Sequence, residues 1–230
     1  MNPRAILSVL AVFFALGFAP AYATAERTYG KGEYVIIHDG LAPSKKLSLA
    51  SHGDGEGGDD NFQVWLMAEP AHRKIAVLAD IGSKNNLDTE PDAYDAMWSA
   101  DSRRVAVSFR RGRHEIQLNI YEIEGGRVRL TSGPSLFKDV TSRDVDSQED
   151  VRLSTSGISW TGPGSFKLSE RILVKTTDSG FLRGLGKYGK LSSKANGGAF
   201  FVEFSAEADC IVVPGHRYRI VDLRVGKFGE

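Results

Sequence analysis

The chain has one cysteine, Cys210, in 230 residues. Without a second thiol no intramolecular disulfide can form, so an oxidising compartment would give this fold no covalent staple. The thiol lies in the apolar run Cys210-Ile211-Val212-Val213, a setting for a buried, inert sulfhydryl rather than a nucleophile. Net charge is missing as well. Lys plus Arg and Asp plus Glu stand at 29 each, which removes any whole-chain attraction to nucleic acid or anionic membranes. No Asn-x-Ser/Thr sequon occurs. Histidines 38, 52, 72, 114 and 216 stand apart, none at H-x-H or H-x-x-x-H spacing, so a zinc site has little support.

Long apolar runs are confined to the beginning. Arg4 precedes an uncharged run from Ala5 to about Phe18, and small residues follow at Ala21, Ala23 and Ala25. This is the layout of a secretory signal peptide over 1–23, with Ala21-Tyr22-Ala23 as cleavage site and Ala23-Thr24-Ala25 as a second choice. The run is shorter than the roughly 20 residues a spanning helix needs. No later stretch is apolar for long enough, so no transmembrane segment is expected in the mature chain. Residues 24–230 then form one β-rich domain, long enough for a real core. Export without cysteine pairs or sequons fits a periplasmic or secreted bacterial protein.

What is present is strand pattern. Tyr34 to Ile37, Lys46 to Ala50, Phe62 to Met67, Lys74 to Ala79, Arg104 to Phe109, Ile116 to Ile123 and Arg127 to Leu130 are short apolar or alternating runs. Further runs are Arg171 to Lys175, Ala199 to Phe204, Ile211 to Val213 and Tyr218 to Val225. Glu69-Pro70-Ala71-His72 and Glu124-Gly125-Gly126 read as turns between paired strands. A single short helix is expected around Ser135 to Val140. The fold class is all-β: a β-propeller-like or related multi-stranded antiparallel sheet architecture.

The most informative stretch is Met97 to Phe109, MWSADSRRVAVSF. Asp101-Ser102 makes a tight turn, after which Val105, Val107 and Phe109 face one way. Ala106 and Ser108 face the other, small enough for a second sheet to pack closely. The segment from Trp98 to Ser132 resembles one blade of the TolB-type WD40-like β-propellers, whose repeats run W-S-P-D-G, strand, strand, short acidic-Gly turn, strand. Ala100 and Ser102 stand where that pattern has Pro and Gly. Phe62 to Ile81 fits the last two strands of a preceding blade, and Ile158-Ser159-Trp160-Thr161-Gly162 offers a second start. The resemblance implies stacked blades, clearest at 62–132. About 205 mature residues would allow only about four or five such units.

Several motifs invite chemical readings. The loop Ser51 to Asn61 carries Asp54, Glu56, Asp59 and Asp60 among glycines, a composition suited to Ca²⁺, although its spacing matches no EF-hand. The flexible acidic loop is the simpler reading, and no other cofactor is implied. Gly184-Leu185-Gly186-Lys187-Tyr188-Gly189 spells G-x-G-x-x-G outside any βαβ context, and is read as a loop. Ser135-Leu136-Phe137-Lys138 matches S-x-x-K without the motifs that accompany it in acylating enzymes. Arg110-Arg111-Gly112-Arg113-His114, with Arg103 and Arg104, reads as a basic hairpin tip that could meet an acidic partner, or as a solvated loop.

No catalytic set assembles from these residues. The leading expectation is an exported, non-catalytic binding or accessory protein of the periplasm or envelope, its partner a protein or envelope component. One alternative is a secreted hydrolase of a glycan or ester, with paired carboxylates drawn from Asp92, Asp95, Asp144 and Asp146. Another is a Ca²⁺-stabilised structural module using the loop at Asp54 to Asp60.

Overall fold

Alternating apolar and polar residues build thirteen strands and one short α-helix among the described residues. The computed structural model describes residues 24–53, 61–82, 84–131, 134–142, 151–177, 189–194, 198–213 and 217–226, without the side chains of 151–153 and 189–194. The expected leader, the acidic loop with Asp54, Glu56, Asp59 and Asp60, the pair Asp144 and Asp146, and Gly184 to Tyr188 lie outside the described residues.

The strands group into successive antiparallel meanders. The first consists of β1 (Val35–Leu41), β2 (Leu47–His52), β3 (Gln63–Ala68) and β4 (Arg73–Gly82). A second follows with β5 (Asp95–Trp98), β6 (Arg104–Gly112), β7 (Glu115–Glu124) and β8 (Arg127–Thr131). The third contains β9 (Val151–Gly162), β10 (Ser165–Thr176), β11 (Gly189–Lys194), β12 (Phe200–Val213) and β13 (Arg217–Val225). Here β11 and β13 share one edge of β12, and β10 takes the other. Two short parallel contacts link the meanders, β1 to β5 at His38 and Asp95, and β7 to β9 at Glu115 and Ser154. The hydrogen-bonded path runs from β11 to β4 and is open.

Two cores flank the second meander. In β6, Val105, Val107 and Phe109 enter a core with Leu49, Val64, Leu66 and Leu78 of the first meander. Ala106 between them enters the other core, with Phe166, Leu168, Ile172 and Phe204 of the third. β7 divides likewise, Leu118 and Ile120 going one way and Tyr121 and Ile123 the other. A strand pair with both faces covered needs apolar side chains at both parities, and β6 and β7 have them.

The turn chemistry follows local demands. Ser99 Oγ donates to Asp101 Oδ1 at 2.7 Å and accepts from the Arg104 N–H at 3.0 Å, while the Arg103 N–H donates to Asp101 Oδ1 at 3.1 Å. Ser102 holds a left-handed φ of 58°, the conformation glycine takes most easily. Gly125 and Gly126, at φ 57° and 77°, supply the two positive angles a two-residue hairpin turn needs.

Two strand readings need correction. The runs read as Ala199 to Phe204 and Ile211 to Val213 are joined in one 14-residue strand, β12, which begins at Phe200. Its buried face continues through Ala206 and Ala208, whose small side chains interrupt the apolar pattern without interrupting the ladder. β9 also extends well before Trp160, over residues too rich in Ser, Thr and Gly to signal a strand alone. The helix forms as α1 (Leu136–Thr141), burying Leu136 and Phe137. Ser135 caps it, accepting from the Lys138 N–H at 3.2 Å, so S-x-x-K here is a capping arrangement.

Candidate ligand cleft on the first meander

Alternation in β3 sends Val64 and Leu66 into the core and leaves Gln63 and Trp65 on the opposite face. Beside Trp65 opens a cleft of about 690 Å³, walled by Tyr34, His52, Trp65, Lys74 and Val77, with Lys31 and Lys84 also lining it. The register shift between Leu66 and Met67 sets Lys74 opposite Met67. From there its Nζ lies 4.9 Å from the Trp65 ring centroid and 5.1 Å from that of Tyr34. The two rings meet edge to face at 6.4 Å and 89°, forming an aromatic corner round the ammonium.

Tyr34 is fixed on several sides. Its ring stacks on His52 at 4.4 Å, and its backbone carbonyl faces His72 Nε2 at 3.0 Å. His72 Nδ1 in turn lies 2.7 Å from Glu69 Oε1, and the Ser48 hydroxyl donates to the same oxygen at 2.6 Å. Both ring nitrogens of His72 thus face acceptors, which only the imidazolium satisfies at once. The hydrogen bond to Glu69 accordingly raises the His72 pKa above the ordinary value, against the smaller opposing effect of burial. Glu69 is held below the usual carboxylate range, first by the Ser48 hydroxyl and then by His72.

Among the described residues the cleft is lined by three lysines and one carboxylate, Asp80. Among the described residues, Lys31, Lys74 and Lys84 form no ion pair with a carboxylate. Asp80, also in the wall, accepts from Asn85 Nδ2 at 2.7 Å and Gln117 Nε2 at 3.0 Å. The Trp65 indole N–H is buried and has no acceptor among the described residues. Such a surface can hold an anion with an apolar body.

The residues singled out from sequence are distributed differently. Asp54, Glu56, Asp59 and Asp60 fall in the undescribed link between His52 and Asn61, both of which line the cleft. Asp95 faces His38 Nδ1 at 3.1 Å with Asp39 at 3.7 Å, and the three ligand atoms lie within 4.8 Å of one another on the surface. This cluster joins β1 to β5 at their parallel contact. His38 is raised in pKa, chiefly by the Asp95 hydrogen bond and then by Asp39. Asp92 sits in the 3-10 turn Pro91–Ala93.

The basic tip is only partly a tip. Arg110 is drawn into a two-pronged pair with Asp88, whose side chain is 3% exposed; Arg104 meets Glu122 at 2.9 Å. Two of the clustered arginines therefore act inside the fold, because the acidic stretch before β5 packs back against β6. Cys210 is buried, and burial pushes its thiol up to about 11.

Sequence reasoning missed Tyr34, Trp65 and Lys74 as a group. The available signal was Trp65 itself, a large aromatic on the polar parity of its strand. Its partners come from two other segments, which only the pairing of β3 with β4 and the stacking on His52 bring together. No protein-family model matches the chain, and no curated protein matches it either.

Proposed function

We propose that the chain is an exported, non-catalytic binding or accessory protein of the bacterial periplasm or envelope, with the cleft beside Trp65 and Lys74 as its binding surface. The observation that carries this reading is Lys74: its ammonium is held between two aromatic rings in a concave site and has no carboxylate partner among the described residues. Export is supported by Arg4, the apolar run to Phe18 and Ala21-Tyr22-Ala23. The TolB-type resemblance is supported by three successive meanders with a shared core at each junction, joined edge to edge in one open 13-stranded sheet.

The test combines processing with contact. Expressed from its full reading frame, the protein is expected in the periplasmic fraction or medium, with an intact mass beginning at Thr24. A photo-crosslinking amino acid at Val77, in the cleft and 39% exposed, should give envelope adducts. The same group at Val221, 62% exposed on β13, should not. Retention in the cytoplasm overturns the export reading, and equal adducts at both positions, or none at 77, overturn the cleft.

A further inference from the structure

We infer that the cleft takes an anionic sugar, its carboxylate or phosphate seated on Lys74 and flanked by Lys31 and Lys84. This rests on the cleft being the binding surface and adds the chemical class of what it binds.

Charge is the first ground. The chain as a whole is neutral, yet among the described residues three lysines line this cleft against one aspartate. That aspartate, Asp80, is satisfied by two side-chain amides instead of a cation. Several arginines of the fold are paired with carboxylates: Arg27 with Glu33, Arg104 with Glu122, Arg110 with Asp88, Arg171 with Glu203. Lys74 is held differently. Ring faces attract an ammonium through their quadrupole and fix its position, but contribute no formal charge to neutralise it. A positioned, uncompensated cation is half of an ion pair.

The rest of the wall argues for a sugar over a bare ion. Val77, exposed in the wall, offers apolar surface of the kind that packs against the C–H face of a pyranose. Gln63 and Asn61 bring amides suited to hydroxyl groups. The volume, about 690 Å³, lies in the range of small-ligand sites, roughly 300–1,000 Å³, where inorganic phosphate alone would leave most of the space to water.

The experiment is a calorimetric titration of the mature protein with digalacturonate and glucose 6-phosphate, alongside their neutral counterparts and inorganic phosphate. One arm reads a carboxylate source and the other a phosphate source. At least one acidic sugar is expected to bind, with affinity falling about tenfold between 50 and 500 mM salt. Lys74→Met should weaken it at least tenfold and Lys84→Gln severalfold, while Lys167→Gln on β10 leaves it unchanged. Lys84→Gln keeps the test open if Lys74→Met fails to fold.

Equal binding of neutral sugars, or equal affinity for phosphate alone, overturns the class, as does indifference to both lysine variants. Crosslinking at position 77 without binding of either acidic sugar also overturns the class and leaves the cleft standing. Absence of crosslinking removes the cleft itself.

Discussion

Trp160 donates its indole N–H to the Met97 carbonyl at 2.8 Å, and Trp98, the next residue after Met97, donates to the Gly40 carbonyl at 3.2 Å. Each tryptophan lies in the first strand of its meander and reaches the first strand of the meander before it. The two indoles therefore perform the same task at successive junctions. Gly40 is matched to this: a Cβ there would stand 2.7 Å from the Leu49 carbonyl oxygen and 2.8 Å from that of Ile37, so only glycine fits where β1 bends towards Trp98.

Trp160→Phe and Trp98→Phe should each lower stability by about 1 kcal/mol, the value of one hydrogen bond with most of the packing kept. Trp160→Ala should cost about 3–5 kcal/mol, because the ring also packs on Phe166 at 5.5 Å. Urea unfolding followed by circular dichroism measures both. A Phe variant as costly as Ala would mean that a retained ring contributes nothing to the junction, and a Phe variant with no loss would mean that the indole N–H contributes nothing.

How legible this was in the sequence varies by element. Strands such as β6 and β7 were plain, since Val105, Val107, Ile120 and Ile123 carry strong apolar alternation. The stacking was half-visible in Ala106, whose size left room for a neighbour. β12 was split because alanines at 206 and 208 weaken a signal that depends on side-chain volume. Arg110 was misplaced because its partner, Asp88, lies 22 residues away and beyond any local pattern. The cleft was least legible. Lys74 looks like an ordinary strand charge until pairing brings it over Trp65.

Asp88 also holds the chain that enters the fold. The Ala25 N–H donates to its Oδ1 at 2.8 Å, while Arg110 Nε meets Oδ2 at 2.6 Å. Arg110→Met would leave a buried carboxylate without its cation and should cost about 3–5 kcal/mol. Adding Asp88→Asn should recover part of that loss, since the remaining group is neutral. A denaturant series on the two single variants and the double measures the coupling. Full additivity would show that the pair does not act as a unit.

Glu170, on β10, accepts the Phe137 N–H at 2.6 Å and faces Ser135 Oγ at 3.3 Å, thereby fastening α1 to the sheet. Burial raises its pKa to about 7 despite these donors, from an ordinary 4.5. Between those values the folded state holds a proton that the unfolded chain has lost. Stability therefore falls as pH rises from about 4.5 to 7, by about 3 kcal/mol in all, and is level above. Glu170→Gln retains an acceptor for Phe137 and removes the charge. It should exceed the parent by about 1–3 kcal/mol at pH 8 and converge with it below pH 5, as read from urea midpoints. An unchanged pH dependence in the variant would acquit Glu170.

His72 gives the opposite slope at the cleft. Its raised pKa means the imidazolium is favoured in the folded state, so its contribution is complete below about 6.5 and fades as pH rises through the folded value. Deprotonation leaves one ring nitrogen without a proton for its acceptor, either Glu69 or the Tyr34 carbonyl. Tyr34 is one wall of the Lys74 corner, so looser anchoring should reach the cleft. Fluorescence quenching of Trp65 by iodide should increase as pH rises through the folded-state value of His72, measured in a Trp98→Phe/Trp160→Phe background. His72→Asn, a residue tolerant of the φ of 48° at this position, should remove that pH step and quench strongly throughout. A pH step that survives in His72→Asn would assign the titration to another group.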